Sequence, residues 1–250
     1  MHRSPRRTRA ATAARAAGTA AAAVLLLTGC TAGNPAAPSA ATTPAAASTA
    51  RPEVDPAAAA ARASREPYAV SVRSTVGIGA EVLMEITARQ NLNSAFSGRQ
   101  ERRTGITVSE ILVTTDAEYH RTGGAAGTWT RSSLRFNGTS EYDLAGYAPV
   151  LLSLGPDARK GVETRDGVLV HHLAGHLDLD RLGQVSAEAR SDAEYDGITG
   201  VDLDQWIDVD GRTRYAEKRW THDGTVMVVT MAFSDYGPPE VFDSPIPAGV

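Results

Sequence analysis

Asp223-Gly224-Thr225-Val226-Met227-Val228-Val229-Thr230-Met231-Ala232-Phe233 is the stretch on which the fold turns. It opens on Asp-Gly, a pair that readily takes the positive φ required at both positions of a two-residue hairpin turn. It continues as an apolar, β-branched run. A strand of an antiparallel sheet ordinarily alternates, with one face wet and one dry, but Val226–Phe233 is apolar on both faces. Such a strand needs cover on both sides. Helices supply one side; the other is a second sheet, a curled barrel wall or a hydrophobic ligand, and a sandwich-like core fits equally well.

Working outward, two more Asp-Gly pairs, Asp166-Gly167 and Asp210-Gly211, punctuate the same half of the chain. They predict Val162–Arg165 paired with Val168–Leu173, then a meander of Leu203–Val209, Arg212–Trp220 and Thr225–Phe233. In the first half, Val82–Thr87 and Ile106–Val113 read as strands. Glu118–Arg121 and Thr128–Thr130 follow, separated by a Gly123-Gly124 turn. Helical spacing is confined to Asp143–Leu154, stopped by Gly155-Pro156, and to Asp178–Leu182 and Ser186–Tyr195. Runs of strands with helices set apart predict an α+β fold around an antiparallel sheet.

The chain begins differently. Arg3, Arg6, Arg7, Arg9 and Arg15 form a basic start, an alanine-rich apolar stretch rises to Val24–Leu27, and Leu27-Thr28-Gly29-Cys30 follows. This order reads as a secretory signal, and the last four residues fit a lipobox with cleavage between Gly29 and Cys30. The apolar run is shorter than the roughly 20 residues that a bilayer requires. Cys30 is the only cysteine, which excludes a disulfide framework and leaves its thiol for lipid. A diacylglycerol thioether carries two chains, enough for stable anchoring. The expected location is the extracytoplasmic face of the cell membrane, with the membrane itself a partner through the lipid on Cys30.

Residues 1–29 carry five of the 25 basic residues and none of the 29 acidic ones, so the mature chain has a formal charge of −9. That balance excludes a nucleic-acid partner, which needs a basic footprint. Residues 30–66 are Ala, Pro, Thr and Ser with almost nothing to bury, and read as a lipidated tether. Within it, Asp55-Pro56 before Ala57–Ala61 is either a capped helix or more linker. Residues 67–250 are long enough for one domain with a real core.

The chemistry-bearing constellations are sparse. Asp208-Val209-Asp210-Gly211 with Glu217 matches part of a calcium loop, but Trp206 holds the first ligand position and strands flank it, so a hairpin turn is expected. His171 and His172 point to opposite faces of a strand, Gly175 interrupts a pairing of His172 with His176, and no further cysteine is free; no metal site is expected. No nucleophile elbow, phosphate loop, HExxH or GxGxxG is present. No catalytic residue, no cofactor and no enzymatic activity are expected. Asn137-Gly138-Thr139 is a formal glycosylation sequon read as a turn.

Several segments together resemble the LppX/LprG-type lipoproteins, which share the shape of the LolA carriers. They are Trp206–Arg214, the ending Phe233-Ser234-Asp235-Tyr236-Gly237 with Pro245 after it, Glu118–Arg121 before Trp129, and Gly161-Val162-Glu163 leading to His171-His172-Leu173 and Leu177-Asp178. The Ala-, Arg- and Gly-rich composition suits a high-GC actinobacterium. The resemblance implies a curved antiparallel half-barrel closed on one face by a few helices. An apolar cavity would lie between them, holding a lipid or glycolipid for transport through the envelope. On that basis the cavity candidates are Val82, Met84, Ile86, Trp129, Trp206, Met227, Val229 and Met231. Val76–Arg103 departs from the pattern, with short apolar runs among many polar residues. An alternative of another class is an envelope sensor or interaction module that binds a protein partner and carries no lipid.

Cys30→Ser is expected to move the protein from the membrane pellet to the soluble fraction. A variant that still sediments with membranes overturns the lipobox reading.

Overall fold

Strands dominate the computed structural model, which describes residues 55–63, 66–94, 96–132 and 140–246. Helix α1 (Pro56–Ala63) is followed by β1 (Tyr68–Ile78), β2 (Glu81–Leu92), β3 (Ser97–Thr104), β4 (Thr107–Val113), β5 (Glu118–Thr122) and β6 (Thr130–Ser132). Helix α2 (Tyr147–Ser153) precedes β7 (Arg159–Arg165) and β8 (Val168–Asp178). Then come α3 (Leu179–Val185), α4 (Ala187–Tyr195), β9 (Gly200–Asp208), β10 (Thr213–His222) and β11 (Thr225–Gly237). All of these belong to one compact unit, Ala50–Val250. Cys30, Gly29 and Asn137 lie outside the described residues.

Two of the three Asp-Gly pairs make the predicted turn. Asp166 and Gly167 have φ of 49° and 77°, and Asp223 and Gly224 have 49° and 73°, so both positions of each turn are left-handed. Asp210-Gly211 differs, since only Gly211 has positive φ, at 78°. There the side chain of Asp208 bends the longer connection, its Oδ1 accepting from the backbone N–H groups of Asp210 at 3.0 Å and Arg212 at 2.9 Å. The same bonds answer the calcium reading, because this carboxylate oxygen is engaged by its own turn.

Helix starts follow side-chain capping. Asp55 accepts from Ala57 N at 3.1 Å, Asp178 from Arg181 N at 2.8 Å, and Ser186 from Ala189 N at 2.9 Å. Helix α1 packs against α2 and β9 and buries Ala59 and Ala60. The folded body therefore starts inside the stretch read as tether. Helix α2 is shorter than the predicted Asp143–Leu154. Asp143 Oδ1 accepts from Ala145 N at 3.3 Å in a local turn, and the helix begins only at Tyr147.

The strands form one open antiparallel sheet in the order β6-β5-β4-β3-β2-β1-β11-β10-β9-β8-β7. Two meanders, β1–β6 and β7–β11, join where β1 pairs with β11, and the chain must cross from the β6 edge to the β7 edge. Helix α2 belongs to that crossing. It packs on β8, as does α3, so the helices gather on one face. The architecture is the half-barrel with helices on one side that the sequence implied. A single core runs from Val70, Val72, Ile86 and Ala88 through Met231 and Phe233 to Leu173 and Leu177, and takes in Leu144, Val150 and Leu151 from the helical layer.

The apolar face of β11 that the sequence could not assign is not covered by a second sheet. Val228 is half-buried, Val226 and Ala232 are exposed, and Thr230 shares a 2.7 Å hydroxyl contact with Thr75. Short apolar side chains tolerate this exposure. Ile106, read as the start of a strand, sits instead in the β3–β4 turn and is fully exposed.

Val76–Arg103 supplies all of β2 and all but the last residue of β3, despite its polar sequence. Strand β3 (SGRQERRT) is held by charge across the ladder: Arg99 and, from β5, Arg121 both bond the buried carboxylate of Glu110 on β4. On the same face, the segment after β11 turns back over the sheet. Arg89 pairs with Glu240. Asn91 donates to Glu240 O at 2.8 Å and accepts from its N–H at 2.9 Å. Phe242 and Ile246 then pack on Leu112, Ala117, Tyr119 and Trp129.

Burial alone would raise the Glu110 carboxyl, but the bonds and charges of Arg99 and Arg121 more than reverse it and hold it below the usual glutamate range. A carboxyl depressed in the folded state stabilises above its unfolded value and loses that contribution as pH falls through the lowered one. Glu110→Gln is expected to cost about 2 kcal/mol at pH 7, and the gap from wild type should shrink as pH drops below about 4. Urea titrations at both pH values read this, and a gap independent of pH would contradict it.

Candidate ligand-binding face

Strand register sorts the side chains into two faces. On the face toward the helices, cross-strand rows can be followed from the covered end of the hollow to the hairpin tips. Ile86–Ser74–Met231–Ala216–Gln205 is the deepest of the three nearest the tips, followed by Met84–Val76–Val229–Lys218–Leu203, and finally by Ile78–Met227–Trp220. Burial falls along the β1, β2 and β11 members of this series, which are apolar except for Ser74. Met231 is 2% exposed and Ala216 0%; Met84, Val76 and Val229 are half-buried; Ile78 is 40% exposed.

The covered end is sealed by polar pins. Gln205, fully buried, donates through Nε2 to Leu144 O at 2.9 Å and to Thr213 Oγ1 at 2.8 Å, fixing the loop before α2 to the sheet. Tyr68 and Tyr236 meet at 5.5 Å between ring centroids, and the Tyr236 hydroxyl donates to Thr213 O. Burial pushes both phenols above their ordinary range, so they remain protonated donors at physiological pH. Helix α2 contributes Tyr147, whose ring lies 4.7 Å from Lys218 Nζ.

The structure brings together five of the eight cavity candidates. Met84, Ile86, Met227, Val229 and Met231 all lie on this inner face, Ile86 and Met231 in the closed row and the others nearer the tips. Val82 sits beyond an irregularity in the β1–β2 ladder, opposite Gly77, and is 53% exposed. Trp129 and Trp206 are elsewhere: alternation along β9 turns Trp206 to the far face, and Trp129, in the loop before β6, lies there too. Trp129 lies under the Arg121 guanidinium and belongs to the small cluster with Phe242. Trp206 stacks on His172 at 4.2 Å and meets Tyr215 edge-on.

Sequence reasoning missed Val76, Ile78, Lys218 and Tyr147 as members of this face. The period-two spacing of Val70, Val72, Val76 and Ile78 was the available signal for the first two. Trp220, opposite Met227, is the tryptophan on the inner face. His171 and His172 do point to opposite faces: His171 is buried, and His172 Nε2 lies 2.7 Å from Asp204 Oδ1. Among the described residues no group of His, Cys, Asp and Glu is placed to hold a metal ion, and no helix is long and apolar enough to cross a membrane.

No family model matches this chain, and no curated protein matches it by sequence. Among solved structures it is similar to LprF from Mycobacterium bovis, at 16% identity and a TM-score of 0.43 over 77% of this chain and 97% of that one. It is also similar to the lipoprotein LppX of Mycobacterium tuberculosis, at 12% and 0.43 over 75% and 98%. A LolA superfamily protein from Nitrosomonas europaea gives 12% and 0.27 over 75% and 96%.

The gradient of burial has a direct consequence. Met231→Asp places an unpaired carboxylate in the closed row and is expected to cost more than about 4 kcal/mol. Ile78→Asp in the open row should cost less than about 1 kcal/mol. Urea denaturation of the two variants compares them, and similar losses would refute an open end.

Proposed function

We propose that the protein is a lipid-anchored envelope lipoprotein, tethered through Cys30, that holds a lipid or other lipophilic molecule against the inner face of its sheet. One observation carries the reading: on β1, β2 and β11 the apolar inner face continues beyond its closed row, through Met84–Val76–Val229 to Ile78–Met227–Trp220, as burial falls. Acyl chains laid along these rows would be stabilised by about 0.8 kcal/mol for each buried CH₂. Lys218, its ammonium held over the Tyr147 ring, stands at the boundary between closed and open rows, where a polar head group would emerge. Ligand would enter and leave at the tips, without displacement of the closed core. No residue is required to do chemistry, and the role is one of holding and release.

The test is the mass of the Ala50–Val250 unit, produced in a lipid-rich actinobacterial host, under native and denaturing conditions. The expected result is an added mass that extracts into organic solvent and is absent from Ile78→Asp/Met227→Asp protein of normal fold. A clean mass in the wild type, unchanged after incubation with envelope lipids, removes the carrier reading.

A further inference from the structure

The face turned away from the helices has a different chemistry. It carries two hollows of similar size, about 600 Å³ and about 590 Å³, each lined by three arginines. Their arginines differ in how far they are paired. In the first, Arg89 is paired with Glu240, and Arg99 and Arg121 are both paired with Glu110. Each guanidinium there has a carboxylate, and the hollow is charge-compensated from within.

The second hollow is lined by Arg73, Arg165 and Arg214, with Tyr215, Ser234 and a single carboxylate, Asp166. Arg73 is exposed on β1, and its cross-strand neighbours are Thr87 and Ala232, neither charged. Neither Arg73 nor Arg214 forms a direct ion pair among the described residues; Arg214 lies 5.1 Å from the Tyr236 ring, and its charge acts on the nearby Asp208 carboxyl. Arg165 is the most firmly placed. Its guanidinium lies 4.2 Å from the Trp206 ring and 4.2 Å from the Tyr215 ring, its Nε is 3.5 Å from Glu163, and its buried Nη1 has no hydrogen-bond partner among the described residues. Ser234 donates to Asp235, which flanks the rim.

We propose that this hollow is a binding site for a phosphate group, held between Arg73, Arg165 and Arg214. A guanidinium fork satisfies two oxygens at once. One fork suffices for a carboxylate, whereas three forks from three strands suit the several oxygens and higher charge of a phosphate. The two aromatic rings hold Arg165 in place before ligand arrives, which lowers the ordering cost of binding. Arg73 and Arg214 gain the counter-charge that their equivalents in the first hollow already possess. The acidic balance of the chain, −4 overall, makes a cluster of three guanidinium groups, two of them without a direct ion pair, stand out further. The site is on the opposite face from the apolar rows and does not depend on the lipid reading. The same chemistry is offered by a phospholipid head group and by a soluble phosphomonoester.

The experiment uses the full chain in a neutral detergent, with Arg side-chain N–H resonances followed during titration. The probes are glycerol 3-phosphate and dihexanoyl phosphatidic acid, with dihexanoyl phosphatidylcholine and acetate as comparisons. Saturable binding of either phosphomonoester, with shifts at Arg73, Arg165 and Arg214, is expected. It should weaken at least tenfold in Arg73→Gln/Arg214→Gln and stay unchanged in Arg103→Gln, a surface arginine paired with Glu101. Binding of glycerol 3-phosphate assigns the site to the phosphate group itself; binding of phosphatidic acid alone assigns it to a lipid head group. Failure of both probes to saturate, equal affinity for acetate or phosphatidylcholine, equal loss in Arg103→Gln, or full binding by the double variant overturns the proposal. The double variant's unfolding midpoint should match wild type, since neither side chain has an ion-pair partner to lose.

Discussion

The pairing of β1 with β11 is the constraint on which the rest of the molecule depends. It joins residues far apart in the chain, as in the hydroxyl contact between Thr75 and Thr230 across a separation of 155 positions, and it converts two local meanders into one sheet. Closing so long a loop is entropically unfavourable, and non-local pairing of this kind makes folding slow. The register it sets runs from Ala69 opposite Gly237 to Ile78 opposite Met227. A slip of one residue would exchange the two faces of either strand. Val72, Ser74 and Val76 would then face solvent, and Arg73 would enter the core. The hydrophobic cost of that exchange is what fixes the register.

From this joint follows the division of the sheet. The chain has to travel from the β6 edge to the β7 edge, and it does so with α2 over one face, which becomes the dry one. The other face stays polar and is organised by paired charges and stacked rings: Glu110 between two arginines, His172 against Asp204 and Trp206, Arg89 against Glu240. Alternation lets neighbouring residues of one strand serve both. Within β11, Met231 and Phe233 are buried in the core, while Ala232 and Ser234 line the arginine hollow between them.

How much of this was legible in the sequence depended on whether a segment's structure is fixed locally. The Asp166-Gly167 and Asp223-Gly224 turns, the capped starts of α3 and α4, and the strands β10 and β11 carry their own signals and were read correctly. Strand β3 was not, because Ser97–Thr104 has no apolar face. It is a strand through the partners it meets, Glu110 above all, and that partnership is invisible until β4 is beside it. The start of α2 was misplaced because Asp143 spends its side chain on a turn where a helix cap was expected. Of the candidate site, the β11 members and Met84 and Ile86 followed from alternation. Trp129, in the loop before β6, and Trp206, on β9, lie on the far face, and aromatic character alone does not say on which side of a sheet a residue sits. The segment that ends in Phe242 and Ile246 carries no periodic pattern, and its packing on the far face has no local signature.

The open rows raise a question that folding energetics alone does not answer. Ile78 and Val82 are substantially exposed and sit at the β1–β2 hairpin tip. A side chain exposed in both the folded and the unfolded state contributes little to stability through burial. Polar residues at these positions would fold as well and would keep the surface more soluble. Single exposed apolar residues need no explanation, but these adjoin a half-buried row that is continuous with the core, and contiguous apolar surface of that kind marks a place where something binds. The graded burial adds a second reason. A fully packed hollow would leave no room for an acyl chain, and a fully open one would expose too much apolar surface to stay soluble. A face closed by Met231 and Ala216 at one end and left uncovered at Ile78 meets both demands, which is the physical case for reading it as a place where a lipophilic molecule is held and released.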